Sequence, residues 1–210
     1  MTTLNIKLYE LEDAIKNPMA FKAKNQDRKP NSPRAVTYYS VLKDAIDNYH
    51  KCKSFVEAGD YLIQRFDGIK KRNKQKEKET NEQFAWYIDD HRKRTIDTVK
   101  GRINITIPLP DRVLEPIRIT GQINRLDLNH EINGYDVWLF RSKGHEGWQK
   151  ELRMILIQHA ISQKIHTPVQ RINIGIYSFE DKFIDSVSYT KEAIDHARQQ
   201  LDIFLKEMGV

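Results

Sequence analysis

One cysteine in 210 residues, Cys52, leaves no internal disulfide to staple the fold and too few thiolates for a cysteine-based zinc site. Long apolar runs are missing too. None approaches the ~18 residues needed to cross a bilayer, and the mean hydropathy is −0.68. The opening MTTLNIKLYELEDAIK has no basic stretch followed by an apolar one, so no secretory leader is expected. No Walker A loop, dinucleotide fingerprint or Gly-x-Ser-x-Gly elbow occurs, so Ser142 and Ser178 have no hydrolase context. The histidines His130, His145, His159 and His166 lack metal-ligand spacing, and no metal site is expected from them. What is present is enough for a core: 24 isoleucines and 20 aromatic residues, with hydrophobic residues at 39% and charged residues at 30%. These features exclude wholesale disorder and fit a soluble chain made in a reducing cytoplasm, with no membrane partner.

The formal charge of +6 is unevenly spread. Between Lys70 and Arg102 stand eleven Lys/Arg against six Asp/Glu, and between Lys22 and Arg34 five basic residues against one acidic. The remaining chain is therefore mildly acidic. Basic segments against an acidic body point to an anionic partner, nucleic acid first, with Lys70, Lys71, Arg72, Lys74, Arg92, Lys93 and Arg94 as the contact candidates. The alternative for a run such as KKRNKQKEKE is a solvated helix face.

The first hundred residues read as mainly helical and residues 101–210 as a sheet core with helices, all in one domain. Leu8, Leu11, Ile15 and Met19 recur at helical spacing and stop near Asn17-Pro18, after which Pro30 and Pro33 break the chain. Apolar positions from Val41 to Phe66 predict further helix, with Gly59 as a possible break, and the basic run to Asp97 extends as another amphipathic helix. Then the period changes. Ile103, Ile105 and Ile107 alternate as in a strand, followed by a turn at Pro108, Pro110 and Asp111. Gly121, Ile123 and Arg125 share a face of a second strand, and Asn133-Gly134 turns into a third over Tyr135–Arg141. Trp148–Gln163 predicts a crossing helix, Pro168–Ser178 a fourth strand, and Lys191–Met208 a last helix.

Helix, three-strand meander, crossing helix and return strand resemble the core of the PD-(D/E)XK nuclease superfamily. Gly121-Gln122-Ile123-Asn124-Arg125-Leu126-Asp127 is similar to the Gly-x-x-Asp-Arg-x-Asp strand of its RecB-type exonuclease branch. Asn17-Pro18-Met19-Ala20-Phe21-Lys22 and the helical His50 are similar to features upstream in that branch. The resemblance implies a mixed four- to five-stranded sheet flanked by helices, and a site with two acids, a lysine and bound Mg²⁺ or Mn²⁺.

At the implied site positions the residues differ. Asn124 and Leu139 stand where the resemblance implies the two acids, Arg141 where it implies the lysine, and Arg153 where it implies a helix glutamine. Leucine has no donor atom, and a guanidinium stays charged and serves poorly as a base. No catalytic residue and no cofactor are then expected. The acids that would rescue a metal site are Asp127, Asp136 and Glu151; the first two, three residues along their strands from the lost positions, fall on the opposite sheet face. Arg125, Arg141 and Arg153 are expected to converge on one cleft and grip phosphate, unless each pairs with a carboxylate such as Glu146 or Glu151. The resemblance thus implies a nuclease-like protein without catalysis, structural or DNA-facing. By analogy with phage genes it would be a virion neck or connector part or a replication accessory, with homo-oligomers and protein subunits as partners. The alternative is an active Mg²⁺- or Mn²⁺-dependent DNA exonuclease with rearranged acids.

Overall fold

The computed structural model describes residues 4–26, 35–110 and 117–209; Pro30, Pro33 and Asp111 lie outside them. A short strand, β1 (Leu4–Lys7), leads through a 3₁₀ turn over Leu8–Glu10 into α1 (Leu11–Lys16) and α2 (Pro18–Gln26). The single helix expected here is thus divided. Asn17 is non-helical at φ −150°, and its side-chain oxygen accepts the Ala20 N–H to start α2. Pro18 occupies the first position of α2, where a missing N–H leaves no bond unmade.

Helices α3 (Tyr38–Cys52), α4 (Phe55–Arg65) and α5 (Lys74–Lys93) follow. Thr37, Ser54 and Asn73 cap them, each accepting a first-turn N–H with its side chain. Gly59 is not the break; it lies inside α4, and the chain turns at Lys53, whose φ is 55°. Nor does α5 run to Asp97, because β2 has begun by Ile96.

The described residues form a mixed sheet of six strands: β1, β2 (Ile96–Thr106), β3 (Ile117–Asn129), β4 (Gly134–Arg141), β5 (Ile172–Ser178) and β6 (Phe183–Val187). Strands β2, β3 and β4 make an antiparallel meander, α6 (Leu152–Ile165) crosses to a parallel β5, and β6 returns as a hairpin. Six strands exceed the four or five expected, the additions being β1 and β6. Trp148–Lys150 is a separate 3₁₀ turn rather than the start of the crossing helix, and β5 begins at Ile172 rather than Pro168. Helix α7 (Lys191–Glu207) ends the fold.

Two buried clusters sandwich the sheet, as layered architectures require. On one side Ile172, Ile174 and Ile176 of β5 meet Leu156, Ile157 and Ile161 of α6 and Leu201, Phe204 and Leu205 of α7. On the other, Trp138, Phe140 and Tyr177 meet Val41, Leu42 and Ile46 of α3, Leu62 of α4 and Tyr87 of α5. Gly175 is required beside Trp138, because any Cβ there would run into the indole ring.

Candidate functional site

A gap in the sheet creates the main cleft. Thr120 pairs with Lys7 of β1 on one side and Thr106 of β2 on the other. Strand β2 continues along Arg125–Asn129, so β4, which pairs with the same residues, lies on the side of β1. Between Thr120 and Arg125 that side of β3 has no strand partner. Beyond Trp138 the β3–β4 ladder stops, and the Asn124 side-chain oxygen accepts the Phe140 N–H at 2.8 Å across the fork. A cleft of about 740 Å³ opens here. Gly121, Gln122, Asn124, Leu139 and Phe140 line it from the sheet, Lys7 and Tyr9 from the β1 end, Tyr39 and Lys43 from α3, Arg141 from the end of β4 and Arg153 from the first turn of α6. Gly121 lets the Leu8–Glu10 turn pack against β3, since a Cβ would collide with Leu8.

The four positions singled out by the sequence, Asn124, Leu139, Arg141 and Arg153, therefore share one cavity. Its described lining carries Lys7, Lys43, Arg141 and Arg153 and no carboxylate. Just behind the arginines sits Glu151, whose Oε2 accepts from Arg141 at 2.6 Å and from Arg153 Nε at 2.7 Å. Arg141 thus pairs with Glu151 and not with Glu146. Half-burial pushes the Glu151 carboxyl up, but the bonds from Arg141 and Arg153 outweigh it and hold it below its ordinary range. Burial pushes the neighbouring Tyr39 hydroxyl well up, only partly offset by Arg141, so it stays a neutral phenol.

A divalent cation fits this set poorly. Mg²⁺ and Mn²⁺ are held by carboxylates and other oxygens. Leu139 offers no donor, the Asn124 oxygen is engaged by Phe140, and Glu151 is bound between two guanidiniums. Among the described residues no group of three His, Cys, Asp or Glu side chains is placed to hold a metal ion.

The other rescue candidates face away. Asp127 is fully buried, bonded to Arg125 at 2.6 Å and Thr98 at 2.9 Å, while Asp136 accepts from Asn129 and Asn173 at 2.9 Å each. Arg125 is a correction to the expected phosphate grip. It is 1% exposed and does not reach the cleft. Side chains alternate along β3, so a residue next to Asn124 points the other way. There Arg125 donates to the hydroxyls of Tyr87 and Tyr177 and lies over the rings of Tyr87, Trp138 and Tyr177. Burial opposes its charge, yet the flanking tyrosines and Asp127 outweigh that and raise its pKa. His50 also sits in this network, 2.6 Å from the Tyr87 hydroxyl, rather than in the cleft.

Much of the basic run is neutralised within the fold. Arg72 bridges Asp67 and Glu77 at 2.6 Å each, and Lys93 pairs with Asp89 at 2.5 Å. Arg94 is half-buried against Trp138 and paired with Asp90 at 2.7 Å, which corrects its place among the free surface contacts. Arg92 lies over the Phe55 ring, while Lys70, Lys71 and Lys74 are exposed where α4 connects to α5. The scattered histidines stay apart: His130 meets Asp97 and His145 meets Asp181. Lys7 and Lys43 were not among the sequence candidates. They are far apart in the chain, and only the approach of β1 and α3 to the gap brings them together.

No family model matches the chain, and no curated protein matches it. A solved structure described as "Crystal structure of SSO0001" aligns over 95% of this chain and 86% of that chain, with 7% identity and a TM-score of 0.36; a likeness that loose assigns neither fold family nor function.

Proposed function

We propose that this chain is a nuclease-like protein of the PD-(D/E)XK kind that has given up catalysis and keeps its cleft as a surface for the phosphate backbone of DNA. One observation supports this above the rest: the cleft at the β3–β4 fork gathers Asn124, Leu139, Arg141 and Arg153, and its described lining carries four cations and no carboxylate. Guanidiniums fit phosphate oxygens in pairs, and phosphate contacts hold nucleic acid without reading its sequence. An exonuclease with rearranged acids has less behind it, since Asp127 and Asp136 are committed to partners on the far face. A part of a phage neck or connector would additionally elute as a defined oligomer without nucleic acid.

The test is an incubation with linear duplex and single-stranded DNA, in Mg²⁺ and then Mn²⁺, paired with a binding titration. Expected are intact DNA, binding that weakens steeply as salt rises, and weaker binding in the Arg141→Ala/Arg153→Ala variant. Metal-dependent digestion that disappears in Glu151→Ala would overturn the reading and locate a working site.

A further inference from the structure

The arginine pair at the cleft mouth already holds an anion, and that anion belongs to the chain. Glu151 Oε2 takes the Arg141 NH2 at 2.6 Å, the Arg153 Nε at 2.7 Å and the Arg153 NH2 at 2.7 Å. The Nε–NH2 edge is one of those by which a guanidinium forks onto a phosphate. In Arg153 that edge is spent on a single carboxylate oxygen. Arg141 is tied further, its NH1 reaching the Gly144 carbonyl at 3.4 Å. All three side chains are mostly buried, at 16%, 18% and 20% exposure for Arg141, Arg153 and Glu151, so the triad is fixed in place rather than a passing surface contact.

Its location in the chain explains the fixity. Glu151 is extended, at φ −69° and ψ 124°, immediately before α6, and its side chain makes no cap bond to that helix. The bond of the Arg153 N–H goes instead to Glu12 of α1, at 3.0 Å. Glu151 is thereby free to serve the arginines.

We propose that Glu151 is a built-in competitor for the phosphate seat: it occupies the Arg141–Arg153 fork in the free protein, and a phosphate of a nucleic acid strand binds by displacing it. The proposal rests on the reading of the cleft as a phosphate surface. A phosphodiester carries the same single negative charge as the carboxylate and gains little by the exchange at one site. Engagement therefore depends on further cations of the cleft, Lys7 and Lys43, acting on neighbouring phosphates of the same strand. A polymer is favoured by this arrangement and an isolated inorganic phosphate is not.

The experiment is fluorescence anisotropy of a labelled single-stranded oligonucleotide against wild type, Glu151→Gln and Arg141→Ala/Arg153→Ala over a salt series, with inorganic phosphate as competitor. Glutamine keeps the shape and an acceptor but removes the charge. The expected result for Glu151→Gln is binding roughly tenfold tighter across the salt series, because the same phosphates are contacted and only the displacement of the carboxylate is removed; inorganic phosphate competes only weakly. Unchanged or weaker binding in folded Glu151→Gln, while the double arginine variant binds less, overturns the competitor role and leaves the cleft reading intact. Binding unaffected by the double arginine variant overturns the cleft reading itself. Should Glu151→Gln not fold, the wild-type Arg153 Nε–H resonance decides: a shift on adding oligonucleotide supports displacement, and an unmoved resonance under saturating binding overturns it.

Discussion

Arg125 holds a full charge where water does not reach, which makes Asp127 worth more than its single 2.6 Å contact suggests. Removing one partner of a buried pair strands the other, at a cost of about 3–5 kcal/mol. Asp127→Leu is therefore expected to lose stability on that scale in urea unfolding, and Arg125→Met/Asp127→Leu to recover part of the loss. The same network contains His50 and His91, with ring centroids 4.7 Å apart. Burial first, then the charge of Arg125, lowers their pKa values to about 2 and about 4. In the unfolded chain both return to about 6.5. Between those limits the unfolded state binds protons that the folded state refuses, so stability falls as pH drops below about 6.5 and these groups contribute no slope above it. Melting temperature is expected to decline from pH 7 to pH 5, and His50→Asn/His91→Asn to flatten that decline. The fate of Arg125 was readable in advance: if Asn124 faces the cleft, strand alternation sends its neighbour to the far side. Its tyrosine partners were not readable, because Tyr87 and Tyr177 come from distant elements that meet only in the folded sandwich.

Helix α6 begins without a cap of its own and borrows one from α1, through Glu12. A carboxylate at a helix N-terminus satisfies an otherwise unpaired N–H and meets the positive end of the helix dipole. Glu12→Ala is expected to cost about 1 kcal/mol and to raise hydrogen exchange in the first turn of α6 more than in α7. The elements that sequence periodicity found are long: α3, α5, β3, β4 and α7 offer several repeats of their pattern. It missed β1 and β6, of four and five residues, which give too few alternations to register. It also joined Trp148–Lys150 to α6, because the apolar spacing passes through Glu151 while the backbone there is extended. That one extended residue matters, since it turns the Glu151 carboxylate toward Arg141 and Arg153 instead of along the helix.

Across the whole molecule, the density of charge along the chain was a poor guide to where cations gather. The Lys70–Arg102 segment drew attention by density, yet Arg72 is paired with Asp67 and Glu77 on either side of it in the chain, and Lys93 and Arg94 with carboxylates four residues earlier. The cationic cleft draws instead on β1, α3, β4 and α6, and is assembled by topology. The global stability of the protein then tests whether that cleft takes a metal. A ligand present at a hundred times its Kd stabilises the folded state by about 2.7 kcal/mol. For a domain of this size each kcal/mol moves the melting temperature by roughly 2–4 °C. A Mg²⁺ or Mn²⁺ site would thus raise it by about 5–11 °C. With Leu139 and Asn124 at the fork and Glu151 held by two arginines, no rise is expected beyond that given by NaCl at equal ionic strength. The salt control is needed because a chain of net charge +6 gains some stability from screening alone. A metal-specific rise abolished by Glu151→Gln would mean that the carboxylate leaves its arginines to bind the ion, and the cleft would then be a metal site rather than a purely cationic one.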